Sequence, residues 1–218
     1  MTQNKFIIGI TGNSGSGKST VSKMLAAEGG HTIDADRVAH KVMEPGQPAY
    51  KKIVAVFGQS ILDNEGQIDR KKLGAIVFND TQKRTQLESI VHPLVTDEIL
   101  LEIANTTASF YVVDAVLLVE SGLNQHCNSL WLITASEEKR LQRIIARDGL
   151  SPEAAQARMK NQRDTTPIAA ISQQIINNDG NIINLKTLVQ KSIVKVKGSR
   201  GEPLAGCGEA PHDFEDIT

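Results

Sequence analysis

One stretch near the N-terminus narrows the possible folds more than any other. Gly12-Asn13-Ser14-Gly15-Ser16-Gly17-Lys18-Ser19 fits the pattern G-x-x-x-x-G-K-[ST]. The apolar run Phe6 to Ile10 leads straight into it and reads as a strand. Lys18 to Glu28 follows with Val21, Met24 and Leu25 on one face, which predicts a helix. Gly29-Gly30 stops that helix, and His31-Thr32-Ile33 is a brief strand ending at Asp34. Strand, loop, helix and strand in this order form a βαβ unit. The glycines let successive backbone N–H groups turn inward around an anion, and the following helix adds its positive end. Lys18 can then reach the outer phosphates of a nucleotide, and the Ser19 hydroxyl can bind Mg²⁺. The alternative is a glycine turn that merely caps a helix; the strand before and the helix after argue against it.

Strands recur further on. Phe110 to Val113 ends at Asp114, Ser129 to Thr134 is a second apolar run, and Gln174 to Asn177 is a third. Between Asp34 and Phe110 no convincing strand is found. The pattern there is helical, broken by turns at Glu44 to Pro48 and Asp63 to Gly66, with Pro93 predicting a kink or break within 82–104. Ser136 to Asp148 and Ser151 to Gln162 read as polar helices meeting at Gly149, and Leu185 to Val196 as a closing helix. Alternating strands and helices predict an α/β fold with a five-stranded parallel sheet covered on both faces. The long helical stretch exceeds what a crossover needs and reads as an inserted subdomain. Expected boundaries are a core of 5–36, 108–135 and 164–197, an insert of 37–107, a lid of 136–163, and a disordered tail of 198–218 rich in Gly, Pro and acids.

Ligands of such sheets bind beyond the carboxyl ends of the strands. That edge holds the glycine loop, Asp34, Asp36, Asp114 and Asn178. Asp114 is either a metal-water anchor or an aspartate that begins a loop. A motor-type ATPase often places a glutamate next; here Ala115 follows. The Asn-Lys-x-Asp of guanine-specific switches is absent, and Asp63-Asn64-Glu65-Gly66 reads as a surface turn. These features favour transfer of phosphate to a bound acceptor. In Asp34-Ala35-Asp36 one carboxylate can take the proton of an attacking hydroxyl while the other caps the next helix. Arg140, Arg143 and Arg147 share one helical face, with Arg158 and Arg163 placed on the next helix; they suit either a lid over ATP or a solvated surface. His92-Pro93 is either a kink or a substrate contact.

Bulk properties agree with a small-molecule enzyme. With 24 basic and 25 acidic side chains, a formal net charge of -1 argues against a nucleic-acid binder. Cys127 and Cys207 are too few for a disulfide framework. No secretory h-region is visible, and no apolar run approaches the roughly 18 residues of a membrane span. The expectation is a cytoplasmic protein without a membrane partner, monomeric or weakly homo-oligomeric.

The ordered set of motifs resembles the dephospho-coenzyme A kinase family over Phe6 to Val196. The matching stretches begin with TGNSGSGKST at Thr11, IDAD at Ile33, EPG at Glu44 and FG at Phe57. They continue with IDRKKL at Ile68, VF at Val77, LESIVHP at Leu87, DAVLLVE at Asp114, RIIARDGLS at Arg143 and NNDG at Asn177. The resemblance implies a three-layer P-loop kinase fold with a helical lid, and transfer of the ATP γ-phosphate to the ribose 3′-hydroxyl of 3′-dephospho-CoA. It implies Asp36 as base, with Lys18 and Arg143 stabilising charge. Nucleotide contacts would come from Asn13, Ser14, Gly15, Ser16, Gly17, Lys18, Ser19, Thr20, Arg143, Arg147 and Asn178. Asp34, Asp36, His92, Leu117 and Glu120 would meet the acceptor, and Ser19 and Asp114 the Mg²⁺. Other readings are a different small-molecule or nucleoside kinase, or a non-catalytic ATP-binding regulator. Val116, His40, Arg140 and Ser172-Gln173 depart from the usual pattern.

Overall fold

In the computed structural model, which describes residues 5–198, five parallel strands form one sheet in the order β2-β3-β1-β4-β5. These are β1 (Ile7–Thr11), β2 (Gly30–Asp34), β3 (Phe110–Asp114), β4 (Ser129–Thr134) and β5 (Gln174–Asn177). β1 lies at the centre and is buried along its whole length, which its unbroken apolar sequence requires. The helices are α1 (Lys18–Ala27), α2 (Ala35–Val42), α3 (Pro48–Phe57), α4 (Arg70–Phe78), α5 (Thr81–Asn105), α6 (Glu137–Asp148), α7 (Pro152–Lys160), α8 (Thr166–Ile171) and α9 (Ile182–Gly198).

Side-chain alternation along the strands feeds two separate cores. Ile8, Ile10, Phe110, Val112, Trp131 and Ile133 face α1 and α9, meeting Val21, Leu25, Leu185, Val189 and Ile193. Ile7, Ile33, Tyr111, Val113, Leu130 and Leu132 face the opposite way, onto Val38, Ile53, Val95, Ile99 and Ile168. Each large side chain so enclosed contributes about 1.5–3 kcal/mol of burial. Trp131 is fully buried, and its indole N–H donates to Ser129 Oγ at 3.0 Å.

The helical insert shares this second core instead of standing apart. α5 lays Val91, Val95, Ile99 and Ile103 against it at four-residue spacing. Pro93 lies inside α5, and the helix runs through it unbroken. The apolar stripe flanks the proline on both sides, so packing holds the helix across the hydrogen bond that Pro93 cannot donate. Asp34 Oδ1 accepts from Arg37 N–H at 3.1 Å, so α2 begins at Ala35. Asp63 Oδ1 accepts from the N–H groups of Glu65 and Gln67, which makes Asp63 to Gly66 the expected surface turn. The only β-pairing within 35–105 among the described residues is an isolated bridge, Leu62 to Ile68.

Three local expectations differ. α7 ends at Lys160, leaving Gln162 and Arg163 in the connection that follows. α8 was not anticipated, being short and opened by Pro167. α9 starts before Leu185 and takes in Gly198; the remainder of the expected tail, with Cys207, lies outside the described residues.

Candidate active site

The loop between β1 and α1 sits at the carboxyl end of the central strand. Gly17 has φ 93°, and a Cβ there would lie 2.1 Å from Asn178 Nδ2. At Gly12 a Cβ would lie 2.2 Å from the Ile133 carbonyl oxygen. Both positions therefore demand glycine, which sets the loop's close curve between β4 and β5. No acidic residue occupies the first turn of α1, so the positive end of that helix is open to an external anion. Lys18 Nζ donates to the Gly12 carbonyl at 3.1 Å and so lies across the loop. The Ser16 hydroxyl is buried beneath it and makes no hydrogen bond within the described residues.

α6 and the end of β5 grip this loop from the outside. Arg143 donates to the carbonyls of Gly15 at 3.1 Å and Asn178 at 2.7 Å. The Asn178 side chain is buried and donates to the Ser16 carbonyl at 2.9 Å. Arg140 Nε donates to the Ser14 carbonyl at 3.1 Å, and Arg147 to Ser14 Oγ at 3.2 Å. The one-face spacing of these arginines is thus directed at the loop and not at bulk solvent. Arg158 instead pairs with Asp148 at 2.8 Å.

The carboxylates stand on the other side of Lys18. Asp34 and Asp114 are direct neighbours in the β2–β3 register. Asp34 serves as the cap of α2, while Asp36 sits in that helix's first turn. Asp36 belongs to an exposed stretch, yet its carboxyl is partly desolvated. That desolvation, with the Asp34 charge, raises its pKa against the pull of Lys18 and His40. Burial likewise raises Asp114; a 2.6 Å hydrogen bond from Ser22 Oγ and the Lys18 charge act the other way. Burial lowers Lys18, while Asp114 and Asp36 support its charge. The three side chains form one electrostatic unit.

A divalent cation suits this unit. Ser19 offers a hydroxyl beside Lys18, and Asp114 a half-buried carboxylate whose charge is disfavoured by desolvation. Among the described residues no group of three or more His, Cys, Asp or Glu could hold a metal ion. That donor set matches Mg²⁺, which takes one or two protein oxygens and completes its shell with water and phosphate.

Further out, Leu117 is 45 % exposed and Val116 37 %, at the rim after β3. Arg163 enters here, pairing with Glu120 and donating to Thr11 Oγ1 at 2.7 Å. Its charge lies near enough to Lys18 to lower that pKa. The sequence placed Arg163 on a lid helix and gave it no separate site role. A residue in irregular chain carries no periodicity by which to find it. His40, Met43, Glu44, Ile68, Arg70 and Leu87 help line a cavity of about 250 Å³ within the helical insert. His92 is half-buried on α5 and does not line that cavity.

Comparison with known proteins fits this geometry. The model of the family described as Dephospho-CoA kinase matches residues 6–184. This chain belongs to the dephospho-CoA kinase family. A dephospho-CoA kinase from Carboxydothermus hydrogenoformans is 41% identical over 192 residues, covering 85% of this chain and 93% of that one. A crystal structure of a Thermus thermophilus protein superposes with a TM-score of 0.77 at 29% identity, covering 89% of this chain and 98% of that one. The dephospho-CoA kinase from Campylobacter jejuni superposes with a TM-score of 0.62 at 31% identity, with the same two coverages of 89% and 98%. The three-layer α/β arrangement is that of the P-loop kinases.

Proposed function

We propose that the β1–α1 loop holds the phosphates of ATP and that Asp36 prepares the ribose 3′-hydroxyl of 3′-dephospho-CoA for attack on the γ-phosphorus. The chain is a kinase of coenzyme A synthesis by its family; the residue roles are our reading. The acceptor O3′–H proton passes to the Asp36 carboxylate as the O3′–Pγ bond forms. The bond from Pγ to the β–γ bridging oxygen breaks, and the products are CoA and ADP. Ser19 and Asp114 would hold Mg²⁺, which when bound neutralises charge on the outer phosphates.

One observation carries this reading. Of the two carboxylates of Asp34-Ala35-Asp36, Asp34 is committed to the cap of α2, while Asp36 is raised in proton affinity and coupled to Lys18. A base of raised pKa takes a proton more readily, and activity should fall as pH drops through that raised value. Lys18 lies where charge develops on the transferred group, and Arg147 adds to the local positive field. Arg143 and Asn178 hold the loop's carbonyls and so keep its N–H groups aimed inward. Leu117, Glu120 and the helical insert flank the acceptor, whose pantetheine arm suits the cavity beside His40; His92 serves the same side from α5. We take the protein to act in the cytoplasm as a monomer or weak homo-oligomer. Nothing in the reaction calls for a nucleic acid or a membrane, and no helix among the described residues is long and apolar enough to cross one.

An acceptor panel tests the proposal. With Mg-ATP the purified protein should phosphorylate 3′-dephospho-CoA far faster than adenosine or uridine. Equal or better use of a nucleoside would overturn the assignment.

A further inference from the structure

We infer that Arg163 is a positioning residue that fixes Glu120 against the phosphate loop, and through it the grip on the acceptor. The inference rests on the proposed placement of Glu120 on the acceptor side. Arg163 is anchored from several directions. One guanidinium amine pairs with Glu120, and the other donates to Thr11 Oγ1 at 2.7 Å. Thr11 Oγ1 in turn donates to the Val116 carbonyl at 3.0 Å, so the segment after β3 joins the same network. The Arg163 carbonyl accepts from Asn13 Nδ2 at 3.1 Å, which gives Asn13 a definite task in the loop. The preceding Gln162 accepts from Arg140, the residue that also holds Ser14.

Two features make this more than a surface ion pair. The Arg163 side chain is 18% exposed against 42% for Glu120, so the arginine is the fixed partner and Glu120 keeps an open face. Among the described residues, four buried side-chain polar atoms have no partner, and three of them are Ser16 Oγ, Gln162 Nε2 and Arg163 Nε. They cluster on the phosphate loop and on the connection that carries Arg163. Buried polar groups are normally hydrogen-bonded, so such atoms mark the polar interior of this connection.

Charge explains the need. Asp34, Asp36 and Asp114 already crowd the strand ends, and an unpaired Glu120 would repel a phosphate-bearing acceptor. Glu120 and Thr11 engage two of the five Arg163 N–H donors, and the side chain is only 18% exposed, so its effect on the acceptor runs through the more open Glu120 that it holds. The planar fork directs its donors at two acceptors in fixed geometry, whereas a lysine acts as a compact point charge on a flexible stem.

Steady-state kinetics of R163M, R163K, E120Q and the R163M/E120Q double variant test this, with 3′-dephospho-CoA and ATP varied separately. R163M should raise the acceptor KM about tenfold and leave the ATP KM within about twofold, the size expected for coupled neighbours. The double variant should be no worse than the worse single. R163K should recover only part of the loss, and it supplies the answer if R163M does not fold. Multiplying effects, an unmoved acceptor KM in R163M, or a loss confined to ATP KM and kcat would each overturn the inference. A fall in thermal midpoint with both KM values unchanged would do the same. If E120Q itself leaves the acceptor KM unchanged, the fault lies in the placement of Glu120.

Discussion

The two halves of the proposed site are built differently. On the donor side, Asn178, Arg143 and Arg140 hold the carbonyls of Ser16, Gly15 and Ser14, and Ser16 N–H closes onto the Asn13 carbonyl at 3.1 Å. The loop is thus held by groups of the chain itself. On the acceptor side the groups are side chains on helices and loops, and Asp36, Leu117 and Glu120 remain exposed. A triphosphate presents the same dense charge at every turnover, so fixed dipoles that need no reorganisation stabilise it best. The acceptor must be chosen among ribose-bearing molecules, and that choice falls to shape and side-chain chemistry further out.

This contrast can be broken by single substitutions. Lys18→Ala should have the largest effect, since Lys18 joins the halves. We expect kcat to fall by an amount on the order of 3 kcal/mol or more, by analogy with other lost electrostatic donors, with little change in acceptor KM. A comparable rise in acceptor KM would show that the halves are not separable. Asp114→Asn should act in the opposite sense on stability, and more weakly. Burial raises the folded-state pKa of Asp114 above its unfolded value, so the folded protein carries a penalty while the group is ionised. Removing that charge should raise the thermal midpoint at neutral pH while impairing turnover. The wild type should recover the difference as pH falls through the raised pKa. Thermal melts across that range, with wild type equal or superior at neutral pH, would contradict the burial argument.

Much of the donor half was legible in the sequence. The loop motif, its flanking strand and helix, and the carboxylates at strand ends all follow from short-range pattern and from the rule for parallel sheets. That one aspartate of the pair would cap α2 was foreseen, and Asp34 is the one that does so; the role of Asp36 as base is our proposal. Spacing put Arg140, Arg143 and Arg147 on one face, yet it carried no information on what that face would meet. The continuity of α5 through Pro93 was hidden because tertiary packing outweighs a local break. Gln173 departs from the usual pattern, and the structure explains it: its side chain accepts from Leu130 N–H at 2.6 Å at the start of β5. Arg163 was the least legible, since its partners Thr11 and Glu120 are brought to it only by the fold.

The account turns on Asp36 acting on the acceptor and not on the nucleotide. Single-turnover transfer and ATP affinity measured together on Asp36→Asn test this directly. We predict that transfer slows by about a hundredfold or more, the range for a lost general base, while the ATP Kd stays within about twofold. Near-normal transfer, or an ATP affinity that collapses with the rate, would contradict it.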